Sequence, residues 1–282
     1  MNLSPGTIAQ VACLLEVTAK KPGNVHRFRD FDDASYLDFA ISAAAIGPAM
    51  NLAKTEGVGR AVLSAIEATR ALVKTNTNLG MILLLAPLCA AETPRSVGKV
   101  LDTLTIEDAR LAYRAIRLAN PGGLGFAAHQ DVADEPSVTL LEAMKLAADR
   151  DLVARQYANG YAEIFNLAVP TMRRALDGGQ SLDNAIATAF LTLLANHHDT
   201  LILRKRGPLI AAEASSRAKI ALDSGDLEPL DDWLREDGHS RNPGATADLI
   251  AAALYVAIAE NIFSLPLSTG LSPCRSAATK FA

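Results

Sequence analysis

The turn between residues 20 and 33, which reads KKPGNVHRFRDFDD, concentrates cationic and acidic side chains near the start of the chain. Pro22 fixes one backbone dihedral and Gly23 frees the next, which predicts a shaped turn between two helices. Lys21 and Arg27 are suited to holding phosphate oxygens, and the carboxylates that follow are suited to Mg²⁺. The alternative is a solvated helix connection in which an aspartate caps the next helix, and residue types alone favour that alternative.

Two other segments combine small polar groups with glycine. The stretch NTNLG, which begins with Asn76 and Thr77, has three consecutive polar groups, more than one N-cap needs, and this favours an anion-binding helix start. The stretch NPGGLGFAAHQDVADEP, residues 120–136, is rich in glycine and then in carboxylates. A mobile lid carrying metal-binding carboxylates such as Asp131 and a plain flexible loop explain this stretch equally well.

The last two polar clusters lie in the second half of the chain. In NHHDTLILRKRG the adjacent histidines point about 100° apart on a helix, so a zinc site has little support. Asp199 is explained more simply as a helix cap, and Arg204 and Lys205 follow within two turns. In RNPGATADLIAA, Thr246 is the expected N-cap and Asp248 falls in the first turn, where the helix dipole favours it. A second role for Asp248 as a ligand is compatible with this position.

The elements that must position these residues are predicted to be helices. Helical periodicity predicts a single-domain, all-α bundle of about ten helices, with the helical domain at residues 1–265 and a loose tail at 266–282. A hydrophobic content of 50% with only 5% aromatic residues is typical of close-packed helices. Thr105 and Ser181 are predicted to begin two of them. The predicted helices cover residues 3–19, 34–53, 57–74, 78–92, 105–119, 138–157, 159–177, 181–197, 200–223 and 243–264.

Composition excludes several classes of protein. The net charge of -4 and the pI near 5.8 argue against a nucleic-acid binder. The three cysteines fit no zinc spacing, so reduced thiols and a cytoplasmic location are expected. No signal peptide is predicted, and the longest apolar run, residues 81–91, has about half of the roughly 20 residues that a membrane span needs. The alanine-rich helices can pack within one chain or between the two chains of a homodimer.

In their order along the chain, the motifs resemble the triphosphoribosyl-dephospho-CoA synthase family. The shared pattern runs E-V-x-x-x-K-P-G-x-V-x-R, N-T-x-x-G, D-T and P-G-x-[ST]-A-D-L, and it spans roughly residues 12–260. Each motif alone is unspecific, whereas the preserved order of all four is specific. The matching residues are Glu16, Val17, Lys21, Pro22, Gly23, Val25, Arg27, Asn76, Thr77, Gly80, Asp199, Thr200, Pro243, Gly244, Thr246, Ala247, Asp248 and Leu249.

The resemblance implies an all-α transferase of cofactor biosynthesis that uses ATP and Mg²⁺. The family transfers the triphosphoribosyl group of ATP to the ribose 2′-hydroxyl of 3′-dephospho-CoA and releases adenine, so the expected partners are small molecules. From the motifs and the resemblance together, the expected nucleotide- and phosphate-binding residues are Lys21, Gly23, Arg27, Asn76, Thr77, Arg204 and Lys205. The expected metal ligands are Asp199, Asp248 and Asp131, and the expected catalytic residues are Glu16, His26 and Asp199.

The chain departs from the family pattern at three places. His26 stands where the pattern has Asp, Asn78–Leu79 where it has His-Lys, and Leu124–Gly125–Phe126 where it has Arg-Gly-Glu. Because several reactive side chains are replaced, we expect a divergent member with another substrate. Two alternatives to the named reaction therefore stay open. One is a phosphotransferase or ligase acting on another cofactor precursor, for example in pterin-linked one-carbon metabolism. The other is a nucleotide-binding protein without catalysis.

Overall fold

The regular elements of the described chain are helices, as the alanine- and leucine-rich composition predicts. The computed structural model describes residues 3–122, 129–263 and 265. Within these residues the backbone forms no sheet, and the only strand-like pairings are isolated bridges in the turn that follows the first helix. The all-α, single-domain prediction is confirmed.

The first half of the chain supplies the helices that carry the N-terminal motifs. Ser4 caps the first of them, and Thr105 starts its helix with a reciprocal capping box to Asp108, as predicted. The helices are α1 (Pro5–Thr18), α2 (Tyr36–Ala45), α3 (Gly47–Asn51), α4 (Ala53–Glu56), α5 (Val58–Leu72), α6 (Leu79–Ala90), α7 (Val97–Leu101) and α8 (Ile106–Ala119), with a 3-10 turn at Pro94–Ser96.

The second half continues in the same way. Ser181 caps its helix as predicted, and Gly178 ends the preceding one. The helices are α9 (Leu140–Ala147), α10 (Leu152–Asn159), α11 (Val169–Asp177), α12 (Leu182–Asn196), α13 (Thr200–Arg206), α14 (Pro208–Ser224), α15 (Glu228–Arg235) and α16 (Gly244–Ala259), with a π turn at Ile164–Ala168.

Two helices, α6 and α16, lie at the centre of the bundle. Both are apolar on nearly every side and almost completely buried, which is the pattern of a core helix. They pack against each other and against α1 and α10, while α5, α8 and α12 form outer layers. The buried side chains of the described residues form one hydrophobic cluster. No helix among the described residues is both long enough and apolar enough to cross a membrane.

Three predicted helices are interrupted, and two helices, α7 and α15, were not predicted. The helix expected at 138–157 breaks because Asp151 caps a new helix, and the one at 200–223 breaks at Gly207, whose φ is 82°, before Pro208. The helix expected at 34–53 breaks at Ile46. Helix α15 was missed because it is only eight residues long, although Leu230, Trp233 and Leu234 recur at helical spacing. The predicted tail at 266–282 lies outside the described residues.

Candidate active site

A cavity of about 830 Å³ is lined by residues of α1, α2, α5, α6, α8, α9, α10, α13 and α16 and of the segments between them. This volume lies in the range of small-molecule sites. One part of its wall is polar and another part is apolar. The charged lining residues are Glu16, Asp33, Arg70, Lys74, Arg117, Asp131, Arg150, Asp151, Arg204, Lys205 and Asp248.

The Asp248 carboxylate lies against the start of α6. A Cβ atom on Gly80 would come within 2.0 Å of Asp248 Oδ2, so only glycine leaves room for this carboxylate. Asp248 makes no hydrogen bond or ion pair with the described residues. Burial, and then the negative charge of Glu16, raise the pKa of Asp248 well above its usual range. Asp248 is therefore a carboxylate that the fold places in the cavity without compensating its charge.

Glu16, the neighbour of Asp248, is held by Lys21. The Lys21 ammonium lies 3.0 Å from Glu16 Oε1 and also donates to the backbone carbonyls of Glu16 and Ala19. Its side chain is completely buried and does not line the cavity. Burial raises the pKa of Glu16, and the Lys21 charge opposes that rise. The structure thus gives Lys21 contacts that orient Glu16, and the contact of Lys21 with phosphate stays a prediction.

The rest of the N-terminal turn, residues 20–33, is fixed to α12 and α15. Gly23, with φ of 73°, donates its amide to Asp231 Oδ1 at 2.7 Å, and the Leu234 side chain occupies the space of a Cβ. Arg27 pairs with Asp183 at 3.2 Å. Burial opposes ionisation of Asp231, but the Gly23 amide and the arginines outweigh it and lower its pKa. Neither Gly23 nor Arg27 lines the cavity, and a phosphate contact for these two residues stays a prediction.

His26 lies in the same turn and is buried. Its Nδ1 accepts the Phe28 amide at 3.2 Å, which leaves the proton on Nε2, and Nε2 has no partner among the described residues. Burial, and then the Lys21 charge, lower the pKa of His26 to about 3. His26 does not line the cavity, so the structure does not bring this predicted catalytic residue to Asp248.

Asp199 joins the N-termini of two helices. Its Oδ1 accepts the amides of Leu201 and Ile202 at the start of α13, and its Oδ2 accepts the amide and hydroxyl of Thr246 at 2.7 and 2.8 Å. The capping prediction is confirmed, while Thr246 is a partner of Asp199 and not an N-cap. Burial raises the pKa of Asp199 although these hydrogen bonds oppose the rise. With both oxygens engaged and no exposure, Asp199 has the contacts of a structural residue and not of a metal ligand.

The segment before α6 presents several amides and hydroxyls to the cavity. Thr77 donates to Ser42 Oγ at 2.6 Å, and Asn76 Oδ1 accepts the Leu79 amide at 3.3 Å. Asn78 donates to Thr69, but its Oδ1 is buried without a partner, and so is the Thr75 hydroxyl. Both orphaned groups belong to lining residues. Buried polar atoms without partners are rare in proteins, so these atoms mark places where a ligand can bond.

Helix α13 contributes two neighbouring cations with different surroundings. Arg204 is paired with Asp151 at 2.6 Å, and Asp151 in turn caps α10. Lys205 has no ion pair or side-chain hydrogen bond with the described residues. Burial, and then the neighbouring Arg204 charge, lower the pKa of Lys205, while Asp33 opposes this. Lys205 is therefore a partly buried cation that is available to an anionic ligand.

Asp131 also lines the cavity. Its Oδ1 accepts the Ala133 amide at 2.8 Å, and this segment is anchored by Tyr113 and Arg117, which donate to the carbonyls of Gln130 and Val132. Across residues 3–122, 129–263 and 265, no three His, Cys, Asp or Glu side chains converge as a metal site. The structure thus does not unite the predicted set of Asp199, Asp248 and Asp131.

Sequence reasoning missed four cations of the cavity wall. Arg70, Lys74, Arg117 and Arg150 occupy helix ends and connections, where isolated cations are common and carry no motif. Asp151 was also missed, although an aspartate before an apolar run is a readable N-cap signal.

Comparison with known proteins identifies relatives of the whole chain. Residues 2–266 match the family model described as ATP:dephospho-CoA triphosphoribosyl transferase. A solved structure from Archaeoglobus fulgidus, which carries the provisional name triphosphoribosyl-dephospho-CoA synthase, is similar at 24% identity with a TM-score of 0.64. The similarity covers 79% of this chain and 99% of that one, and it supports the fold. Among proteins of curated function, none matches the chain.

Proposed function

The chain belongs to the ATP:dephospho-CoA triphosphoribosyl transferase family, a family of transferases that use ATP, and from this we propose that the cavity around Asp248 is the active site for that transfer. The observation that carries the proposal is the uncompensated Asp248 carboxylate, which Gly80 accommodates in a cavity that also presents the unpaired cation Lys205. The phosphates of a substrate would supply the negative charge that Lys205 lacks, and a metal ion bound with them would supply the positive charge that Asp248 lacks.

We propose that Lys205 binds the triphosphate of ATP. The lysine is partly buried and has no partner of its own among the described residues, so an anion there gains a charge-assisted hydrogen bond. Arg204 lies beside it, and its buried Nε is also without a partner. Asn78 Oδ1 and Asn76 at the start of α6 supply polar contacts for the nucleoside.

The donor set of the cavity fits Mg²⁺ bound together with substrate phosphates. Magnesium prefers oxygen ligands and is commonly held by one or two carboxylates, with phosphate and water completing the shell. Asp248 is uncompensated and Glu16 is its charged neighbour, which matches that need without a third carboxylate. Bound there, the ion would neutralise phosphate charge. Asp199 and Asp131 are left out of this set, because Asp199 is engaged by two helices and Asp131 accepts the Ala133 amide.

The reaction itself exchanges two bonds at the anomeric carbon of the ATP ribose. The bond from that carbon to the adenine nitrogen breaks, and a bond to the 2′-oxygen of dephospho-CoA forms. The proton that leaves the hydroxyl is balanced by the proton that adenine takes up. The chain's contribution is to hold both substrates in one cavity at fixed positions, which converts an encounter of two molecules into a single step.

A second candidate function keeps the cavity and changes the acceptor. Leu79 lines the cavity where the resembling family pattern has a cation, so this wall is less positive than the pattern implies. That replacement favours an acceptor with fewer charges, on which a phosphotransferase or ligase would release ADP or AMP instead of adenine. The cytoplasmic location and the homodimer remain predictions from the sequence.

Incubation with ATP, Mg²⁺ and dephospho-CoA, followed by chromatography of the released base and the nucleotide, tests the proposal. We expect adenine and a product heavier than dephospho-CoA by one triphosphoribosyl group. Asp248→Asn should abolish adenine release, and Asp149→Asn, an exposed aspartate outside the cavity, should not. Release of ADP or AMP would favour the second candidate. No release of adenine at any Mg²⁺ concentration would refute the first.

A further inference from the structure

The ion pair between Arg204 and Asp151 leaves one edge of the arginine without a bond. Arg204 donates from Nη1 to Asp151 Oδ2 at 2.6 Å, and this is its one polar contact with the described residues. Its Nε is buried and has no partner among them. The Nε–Nη2 edge of a guanidinium can bind a carboxylate or a phosphate through two parallel hydrogen bonds. In Arg204 the ion pair uses the opposite nitrogen, so this edge remains available to a ligand.

Asp151 is held in place by contacts other than this ion pair. Its Oδ1 caps α10 by accepting two amides of the first turn at 2.8 and 3.1 Å, which leaves Oδ2 for Arg204. The amide of the next residue, Leu152, donates to the Thr200 hydroxyl at the start of α13 at 3.1 Å. The backbone of α10 and α13 therefore sets the position of the carboxylate to which Arg204 is bound.

The ion pair lies at the part of the cavity to which the triphosphate is assigned. Asp151, Arg204 and Lys205 all line the cavity, and the Arg204 charge contributes to the lowered pKa of Lys205. Arg206 provides a contrast within the same helix turn, because it pairs with Asp237 at 2.9 Å and lies outside the cavity lining. The helix dipole favours cations in the last turn of α13 and accounts for both arginines. It does not account for a fixed carboxylate that holds one of them beside Lys205.

We propose that Asp151 is a positioning residue, which holds the Arg204 guanidinium so that its Nε–Nη2 edge binds a phosphate group of ATP beside Lys205. The inference rests on the proposed function and adds to it the residue that orients a phosphate-binding arginine. A carboxylate beside a phosphate site repels the ligand, so Asp151 favours binding only through the arginine that it orients. The positioning role and simple Coulomb repulsion therefore predict opposite results when the Asp151 charge is removed.

Calorimetric titration with ATP and with inorganic triphosphate, in the absence of any acceptor, tests this role without turnover. Asp151→Asn keeps the Oδ1 acceptor that caps α10 and replaces Oδ2 with an NH2 group, which cannot accept from Arg204. We expect it to weaken the binding of both ligands about tenfold, the effect of losing one charge-assisted hydrogen bond.

Two further variants accompany Asp151→Asn. Asp151→Ser also retains a capping oxygen without the charge, so it should weaken binding in the same way. Asp149→Asn is the matched control, since it removes an exposed negative charge outside the cavity lining, and its affinities should stay within about twofold of the wild type.

Changes at Arg204 test whether Asp151 acts through it. Arg204→Ala should weaken the binding of inorganic triphosphate at least about tenfold, and Arg206→Ala, which removes the same charge from the same helix turn, should not. In the Arg204→Ala background, Asp151→Asn should strengthen binding, because only the repulsion by the carboxylate is left to remove. Arg204→Lys retains the charge but lacks the Nε–Nη2 edge, so it should not restore wild-type binding.

Two results would overturn the positioning role. One is triphosphate binding in Asp151→Asn that equals or exceeds that of the wild type. The other is the same weakening by Asp151→Asn with and without Arg204, which would indicate that Asp151 does not act through the arginine. If the wild type binds no ATP, the proposed function fails, and titration with inorganic triphosphate then decides the role of Asp151 by the same two comparisons. A wild type that binds neither ligand would refute both proposals.

Discussion

The N-terminal turn and the cavity are both rich in charge, and they differ in whether that charge is paired. At the turn, Asp231 of α15 accepts a hydrogen bond from the Gly23 amide and pairs with Arg29 at 2.7 Å and with Arg235 at 2.8 Å. In the cavity, Asp248 and Lys205 have no such partner among the described residues. A dense run of charges in sequence therefore marks a structural anchor here, while charges scattered over distant helices remain available for a ligand.

The largest effect should come from removing the unpaired charge of the cavity. Asp248→Asn should lower the rate of adenine release about 1000-fold, equivalent to about 4 kcal/mol, because the metal-binding carboxylate is lost. Its thermal stability should stay the same or rise, since an uncompensated carboxylate is neutralised. Kinetic assays and calorimetric melting of the same preparation measure the rate of adenine release and the thermal stability. A variant that is strongly destabilised would contradict the contrast between the two regions.

The opposite pattern is expected for the anchor of the turn. Asp231→Asn should lower the free energy of unfolding by about 3 kcal/mol, because the buried Arg235 loses its counter-charge and an NH2 group replaces the oxygen that accepts Arg29. Asp232→Asn is the matched control, since Asp232 is exposed and pairs with the half-exposed Arg29, and it should cost less than about 1 kcal/mol. Urea denaturation measures both. Equal costs for the two variants would show that the network does not anchor the turn.

Gly80→Ala tests how closely the cavity is fitted to Asp248. A Cβ at this position would lie 2.0 Å from Asp248 Oδ2, so the carboxylate must move and the turnover rate should fall about 30-fold, equivalent to about 2 kcal/mol. Gly98→Ala provides the control, because nothing lies within 4 Å of a Cβ at that position in α7. Retained activity in Gly80→Ala would indicate that the carboxylate position is not critical.

The smallest effect concerns His26 and the pH dependence of stability. The unfolded imidazole takes up a proton below about pH 6.5, whereas the folded one stays neutral down to about pH 3. Protons therefore favour the unfolded chain, and stability should fall as the pH drops through this window, by up to about 2 kcal/mol at pH 5. His26→Gln should reduce that dependence of stability on pH. Denaturation curves at pH 5 and pH 7 give the free energy of unfolding of each protein. An equal change between the two pH values in the wild type and in His26→Gln would refute the prediction.

Local signals in the sequence predicted much of the fold. The caps Thr105, Ser181 and Asp199 lie beside the helices they start, so their hydrogen bonds span three residues or fewer. The break at Gly207–Pro208 was missed, although glycine and proline together rarely continue a helix. The sequence did not reveal partners that are distant along the chain. Asp199, for example, also bonds Thr246, which lies 47 positions away.

The candidate site was predictable only in part, for the same physical reason. Glu16 and Asp248 came from ordered motifs, and both line the cavity. Lys21 belongs to the same motifs, but whether its ammonium faces a ligand or a carboxylate depends on burial, which residue type does not reveal. The anchoring of Gly23 depends on α15, whose Asp231 is separated from it by 208 positions.

The double cap at Asp199 has a consequence for how this cavity can change over evolution. One carboxylate ties the start of α13, which carries Lys205, to the start of α16, which carries Asp248. The two side chains therefore belong to one unit, and the spacing of their helix starts is set by the hydrogen bonds of Asp199. Substitutions on the lining residues of α8 and α9 can accordingly reshape the cavity while the spacing of the two helix starts stays constant.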